Sequence, residues 1–159
     1  RGRLWIEGRG VHTVTTDQGP VAPGGIESRV ERLEGVQQAA VVGVGPAGGQ
    51  RVVVMVRPTE GTDLRLHAAS PVASVEFSAA VREISSQGPG AAPVAAVLVR
   101  DSLPVDIRHA SKIDRTALAG WAAHTLAGDG GSSLGDRAGR LLGAPRRLLG
   151  RLDRVGFRP

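Results

Sequence analysis

The sequence predicts an α+β domain: a small three-stranded core sheet with packed helices, an N-terminal hairpin before it, and an Arg-rich, partly helical or disordered tail after it. Three apolar runs, at 39–44, 51–56 and 93–100, are continuous rather than alternating, which is typical of strands covered on both faces. Stretches with helical spacing of apolar residues flank these runs. Hydrophobic residues make up 41% of the chain but aromatics only 3%, so we expect a core of Val, Leu, Ile and Ala.

The N-terminal hairpin is predicted from two β-prone runs, Leu4–Glu7 and Val11–Thr15, on either side of the flexible Gly8-Arg9-Gly10. A turn follows, in which Gly19 is suited to a positive φ. Further along, Gly43-Val44-Gly45 superficially resembles a phosphate loop. It joins two apolar runs with no helix behind it, so we interpret it as a tight turn between strands.

The helices are predicted from apolar spacing and from the turn residues that bound them. The first covers 26–34, where apolar side chains recur at i, i+4 and i+7, and the glycine that follows is expected to end it. The second lies within 71–86. A third, short helix is predicted to begin near Asp114 and to end near Gly120 and Trp121.

Charge separates the folded part from the tail. Residues 1–120 carry 13 basic and 12 acidic side chains, a difference of +1, whereas 121–159 carry seven Arg and three Asp, a difference of +4. The predicted division is therefore a domain over 1–120, a linker over 121–133 and a tail over 134–159. Because the excess charge belongs to the tail, it does not indicate that the folded part binds nucleic acid.

Two interpretations of the tail stay open. Leucines alternate with arginines in it, as in a basic amphipathic helix that docks on partner enzymes or on an anionic membrane surface. The other interpretation is an Arg-rich, partly disordered segment. No apolar run approaches the roughly 18 residues of a membrane-spanning helix and there is no cysteine, so we expect a cytoplasmic protein. A start at Arg1, directly before a strand-like run, suggests a piece of a larger protein.

Lys112 is the most conspicuous single residue. Of the 20 basic side chains, 19 are Arg and one is Lys. An ammonium is a compact point charge on a flexible stem, whereas a guanidinium is a broad planar fork, so one retained Lys indicates a site that needs the former. Chance retention is the alternative, and composition alone does not choose between them. The four histidines show no metal-ligand spacing, and no metal site is predicted.

Three segments in sequence carry a resemblance to a known family. The first is Leu4-Trp5-Ile6-Glu7-Gly8-Arg9 with the stretch from Gly19 to Ile26-Glu27, the second is Val36 to Val44, and the third is Leu103 to Leu118, with Ser111-Lys112-Ile113-Asp114-Arg115 at its centre. Together they resemble the C-terminal lid domain of the adenylate-forming superfamily, which includes acyl-CoA synthetases, peptide-synthetase adenylation domains and luciferases. The resemblance covers about residues 3–120.

The resemblance implies roles for particular residues. Gly8 and Arg9 would lie at the hinge after a large N-terminal adenylation domain, with Gly10 adding flexibility because Val11 stands where many members have the pivot residue. Lys112 would be the adenylation lysine. Gly19, Arg108, His109 and Ser111 are the other candidates on the phosphate and substrate side; for His109 ordering the loop is an equal alternative, and Arg108 could instead pair with Asp106 or with the partner domain.

The resemblance also implies an activity. ATP and Mg²⁺ would be the cofactors, bound mainly by the N-terminal domain, and a fatty acid or β-hydroxy acid would be the acyl substrate, activated to acyl-AMP. The run Leu103 to His109 followed by Ser111-Lys112-Ile113 resembles in particular the β-lactone synthetases of bacterial olefin biosynthesis. The competing hypothesis is a non-catalytic, stand-alone binding module that has the lid fold and engages a partner or an anionic membrane through its tail.

Overall fold

The computed structural model describes residues 12–105 and 112–128, which form three helices and five strands. In chain order these are β1 (Val14–Thr16), β2 (Gly19–Val21), α1 (Pro23–Val30), β3 (Val36–Val44), β4 (Arg51–Pro58), α2 (Val75–Ser85), β5 (Val94–Val99) and α3 (Arg115–Ala127). The predicted α+β class and the three-stranded sheet are confirmed. Among the described residues, no helix is both long and apolar enough to cross a bilayer.

The sheet has the order β3-β4-β5, with β4 in the centre. Strand β3 runs antiparallel to β4, with Val41 opposite Val54, and β5 runs parallel to β4, with Val97 opposite Val54. Every residue of β5 is buried, as are five consecutive residues of β4. The continuous apolar runs therefore come from strands that are covered on both faces, as the sequence predicted.

Two apolar clusters cover the two faces. Helices α1 and α2 lie on one face, where Ile26, Val30 and Val81 are fully buried together with Val41 and Val54. Helix α3 covers the other face, through Leu118, Ala122 and Leu126 packed with Val42, Met55 and Leu98. Alternate side chains of each strand enter opposite clusters because successive residues of a strand point to opposite faces.

Helix α1 is shorter than predicted at its C-terminus. It ends at Val30, not at Glu34, and Pro23 occupies its first turn, where a missing amide costs nothing. Gly35 has a φ of +80°, and a Cβ there would lie 2.8 Å from Cγ2 of Thr62. The glycine thus serves the connection into β3 rather than the end of the helix.

Helix α3 is longer than predicted. It continues past Gly120 and Trp121 to Ala127, so the predicted domain boundary at 120 and the start of the linker at 121 are wrong for the described residues. The reason is packing: Ala122 and Leu126 extend the buried stripe begun by Leu118. Burial of that stripe outweighs the roughly 1 kcal/mol that a glycine in a helix interior costs.

The described hairpin differs from the predicted one. Strands β1 and β2 pair across Asp17 and Gln18, with Gly19 at a φ of +120°, as the turn prediction required. The predicted partner strand Leu4–Glu7 lies outside the described residues. Gly43, predicted to lie in a turn, is a strand residue opposite Val52. A Cβ there would lie within 2.8 Å of Gln50 and Val14 atoms, so the glycine is needed for a close approach.

Several predicted features lie outside the described residues. They include the Arg-rich tail over 134–159, most of the linker, the hinge residues Gly8, Arg9 and Gly10, and three of the candidate site residues, Arg108, His109 and Ser111.

Candidate functional site

Lys112 lies at the base of a connection between β5 and α3. An isolated antiparallel bridge pairs Val105 with Ile113, and the amide of Asp114 donates to the carbonyl of Pro104 at 2.8 Å. The chain therefore returns at Ile113 to the point it left at Val105. Lys112 is exposed, with no hydrogen bond or ion pair to another described residue.

The residues that follow Lys112 are held in place. Ile113 packs partly buried against the α3 cluster, and Asp114 caps α3 by accepting a hydrogen bond from the amide of Ala117 at 2.9 Å. A side-chain cap of this kind satisfies an amide that has no partner within the helix. The backbone that follows Lys112 is thus anchored, while Lys112 itself is exposed.

Arg115, the first residue of α3, makes the most extensive polar contacts of this region. Its Nη2 donates to Oε2 of Glu27 at 3.0 Å, and its Nη1 contacts Oε1 of the same carboxylate. Nη1 also donates to the carbonyl of Val41 at 3.1 Å. Oε1 of Glu27 in turn accepts from the amide of Val41 at 2.7 Å. We call the two side chains, Glu27 and Arg115, the brace.

The brace closes the outer edge of β3. An exposed edge strand presents unpaired amides and carbonyls, and here Val41 has both its groups satisfied by the brace, while the amide of Ala39 donates to Oε1 of Glu31 at 3.1 Å. The side chains of Arg115 and Glu27 are only 22% and 12% exposed. A bidentate guanidinium–carboxylate contact between two largely buried side chains fixes both the distance and the relative orientation of the two groups.

A cleft of about 210 Å³ lies beside the brace, between β1, the end of β3 and the start of α3. Polar groups line part of it, among them Gln50, Arg115, Thr116 and His12. Oε1 of Gln50 accepts from the amide of Thr15 at 2.9 Å, which ties β1 to the β3-β4 turn. The cleft is thus bounded by β1 on one side and by the start of α3 on the other.

The structure brings together two of the segments that carry the family resemblance. Ile26-Glu27 and Ile113-Asp114-Arg115, from opposite ends of the domain, meet at the brace. Gly19 is the first residue of β2, where its carbonyl accepts from Oγ1 of Thr16 at 2.8 Å, and no hydrogen bond links it to the described residues next to Lys112. Its proposed place on the phosphate side stays a prediction.

The brace itself was not predicted from the sequence. Its two members are 88 positions apart, and a single glutamate and a single arginine carry no spacing signal. The only signal available was that both belong to segments picked out for their resemblance to a family. Within the part of the chain that the structure describes, no group of three or more His, Cys, Asp or Glu residues is placed to hold a metal ion.

Comparisons with known proteins decide the family. No family model matches the chain. An olefin beta-lactone synthetase of Xanthomonas campestris is 40% identical over 122 residues, which are 77% of this chain and 21% of that protein. A second olefin beta-lactone synthetase, from Stenotrophomonas maltophilia, is 36% identical over 79% of this chain and 21% of its own length. The chain thus spans about a fifth of the curated relatives that it matches.

Solved structures of related enzymes share the fold of this chain. Apo MatB from Rhodopseudomonas palustris superposes with a TM-score of 0.57 at 26% identity, over 74% of this chain and 21% of that one. This chain is a domain of the adenylate-forming superfamily. A Mycobacterium tuberculosis fatty acyl CoA synthetase shares the fold at 20% identity, with a TM-score of 0.54 over 76% of this chain and 21% of its own. Within the superfamily, the curated relatives fall in the olefin beta-lactone synthetase subgroup, as the motif around Lys112 predicted.

Proposed function

We propose that the chain forms the mobile C-terminal lid of an ATP-dependent acyl-adenylating ligase, and that Lys112 stabilises the transition state of adenylation. One observation carries the proposal: the exposed Lys112 directly precedes a backbone segment that is anchored to the domain. Ile113 is held by the bridge to Val105, and the two residues after it are held by the cap and the brace of α3.

The chemistry explains why an ammonium is needed. A carboxylate oxygen of the substrate attacks the α-phosphorus of ATP, a new P–O bond forms, and the bond to the departing pyrophosphate breaks. Negative charge grows on the oxygens around the phosphorus as this happens. An ammonium brought there by a closing lid, away from bulk water, lowers the energy of that charge distribution. In the proposed step Lys112 donates hydrogen bonds to these oxygens and forms no covalent bond.

ATP and Mg²⁺ are the proposed cofactors. A second structure of MatB, 25% identical with a TM-score of 0.56, is described as ATP bound. The described residues suit contact with a phosphate through one ammonium and offer no ligand cluster for a metal ion, so Mg²⁺ and most of the ATP would be held by an N-terminal adenylation domain. That domain is the proposed partner of this chain.

The proposed acyl substrate is a fatty acid or a β-hydroxy acid. Two relatives named olefin beta-lactone synthetase support the β-hydroxy acid, whose acyl-AMP would close to a β-lactone when its own hydroxyl displaces AMP. The same relatives favour a catalytic lid over the stand-alone binding module. The proposal also includes a hinge at Gly8, Arg9 and Gly10 and substrate-side roles for Arg108, His109 and Ser111. It further includes docking of the tail on partner enzymes or a membrane surface, and a cytoplasmic location.

The test uses the full-length enzyme and measures pyrophosphate release with fatty and β-hydroxy acids. We expect Lys112→Ala to lower the rate of acyl-adenylate formation by about 100- to 1,000-fold, the effect of removing one preorganised donor to a developing charge. The matched control is Arg32→Ala, which removes another exposed cation. Equal pyrophosphate release by the wild type and Lys112→Ala would refute the role of Lys112.

A further inference from the structure

One member of the brace, Arg115, lies close to Lys112 along the chain. Lys112 precedes Arg115 by three residues, so even a fully extended chain spans only about 10 Å between them. Ile113 and Asp114 fill this short distance, and both are fixed to the fold by the bridge to Val105 and by the cap. A change in the position of Arg115 would therefore move the point from which the ammonium projects.

The brace also joins layers on opposite faces of the sheet. Glu27 belongs to α1, on the α1–α2 face, whereas Arg115 begins α3 on the other face. The remaining contacts of α3 with the sheet are largely apolar, through Leu118, Ala122 and Leu126. Apolar contacts are non-directional, whereas the fork of Arg115 sets one orientation against Glu27 and the carbonyl of Val41.

We infer that Glu27 and Arg115 are positioning residues for Lys112, which hold the N-terminal end of α3 so that the ammonium reaches the reacting phosphate in register. This inference rests on the proposed function. Neither member of the brace touches the reacting atoms, and each acts through the segment that it anchors. An error of about 1 Å in such a position can lower a rate by as much as 100-fold.

A double-mutant cycle separates positioning from simple stability. In the full-length enzyme, pyrophosphate release would be measured for Arg115→Met and Arg115→Lys, each alone and together with Lys112→Ala. The control is Arg29→Met, which removes an arginine of α1 whose Nε and Nη1 donate to the carbonyls of Ile84 and Pro89, tying α1 to the α2 end rather than to α3.

We expect Arg115→Met to lower kcat of adenylation about 30-fold with little change in KM for ATP, since ground-state binding does not depend on the position of Lys112. Arg115→Lys should fall between Arg115→Met and the wild type, because an ammonium cannot hold both carboxylate oxygens and the Val41 carbonyl in the same geometry. Arg29→Met should stay within about twofold of the wild type. The double variant Lys112→Ala with Arg115→Met should be less than about twofold slower than Lys112→Ala alone.

Amide exchange supplies a second readout. The amide of Asp114, bonded to the carbonyl of Pro104, should exchange faster in Arg115→Met and Arg115→Lys but not in Arg29→Met. If Arg115→Met does not fold, Arg115→Lys supports the same comparison.

Several results would overturn the inference. One is an equal loss of rate from the Arg115 substitutions with and without Lys112, which means that the brace serves stability alone. Others are unchanged kcat in both Arg115 variants, or unchanged exchange at Asp114. Failure of the proposed function would look different, because Lys112→Ala would then release pyrophosphate at the wild-type rate.

Discussion

Lys112 and Arg115 lie three positions apart on the same segment, and the fold treats them in opposite ways. Arg115 is mostly buried and donates to a carboxylate and a backbone carbonyl, whereas Lys112 is exposed and makes no hydrogen bond to a described residue. The difference teaches that a single family motif contains two kinds of residue. One kind fixes the segment to the domain, and the other is exposed, as the proposed contact with a ligand outside the domain requires.

The largest expected effect is on the rate of adenylation and comes from substitution of the exposed Lys112. Lys112→Arg keeps the charge but replaces a point cation with a broad fork, so we expect pyrophosphate release in the full-length enzyme to fall about 100-fold, or about 2.7 kcal/mol in the activation barrier. The free energy of unfolding should change by less than about 0.5 kcal/mol, as for other exposed sites. A Lys112→Arg enzyme with full activity would mean that charge alone matters there.

For the brace we expect the opposite of what we expect for Lys112: a substitution there should clearly lower the free energy of unfolding. Glu27→Ala leaves the amide of Val41 without its acceptor and leaves the guanidinium of Arg115 with only the carbonyl of Val41. The free energy of unfolding of this chain should therefore fall by about 2 kcal/mol in urea denaturation. Glu34→Ala, at an exposed glutamate with no side-chain hydrogen bond, is the control and should change it by less than about 0.5 kcal/mol. A similar small change for Glu27→Ala would contradict the brace.

A pair of glycines tests how tightly the surroundings of the brace are packed. Gly43→Ala would place a Cβ within 2.8 Å of Gln50 and Val14, and we expect a loss of about 1.5 kcal/mol in unfolding free energy. Gly120→Ala, in α3 with no atom within 4 Å of the new Cβ, should instead gain about 0.7 kcal/mol through helix propensity. Denaturation curves of the two variants should shift in opposite directions, and a shared direction would count against this packing.

The smallest expected loss of stability concerns the helix cap between Lys112 and Arg115. Asp114→Ala and Ser74→Ala each remove a helix N-cap, of α3 and α2 respectively, at an expected cost of about 1 kcal/mol in stability. Only Asp114→Ala should also slow adenylation in the full-length enzyme, because only that cap adjoins Lys112. Equal adenylation rates in the two variants would show that the cap does not help to position the lysine.

Much of the fold follows from local sequence patterns. The continuous apolar runs predicted all three core strands, and the turn chemistry at Gly19 predicted its positive φ. The errors arose where tertiary packing outweighs local signals. Helix α3 continues past Gly120 because Leu126 is still buried in the core. Gly43 is a strand residue, and it is a glycine because Gln50 occupies the space that a side chain would fill.

The candidate site was predictable only in part. The excess of arginine made Lys112 stand out; the residue is exposed, and its catalytic role stays a prediction. The brace could not be predicted, because its members come from distant segments and meet only when α1 and α3 cover opposite faces of one sheet edge. The sequence resemblance picked out Glu27 and Arg115 without indicating that they contact each other.

Chemical labelling tests most directly whether the ammonium of Lys112 reaches the phosphates. An acyl-phosphate derivative of ATP transfers its acyl group to an amine close to the bound phosphates, and Lys112 is the only lysine of this chain, so its peptide is readily assigned by mass spectrometry. In the full-length enzyme we predict acylation of Lys112 that excess ATP suppresses. Labelling that excess ATP leaves unchanged, or a Lys112 that stays unlabelled while the N-terminal domain is acylated, would contradict the role assigned to this residue.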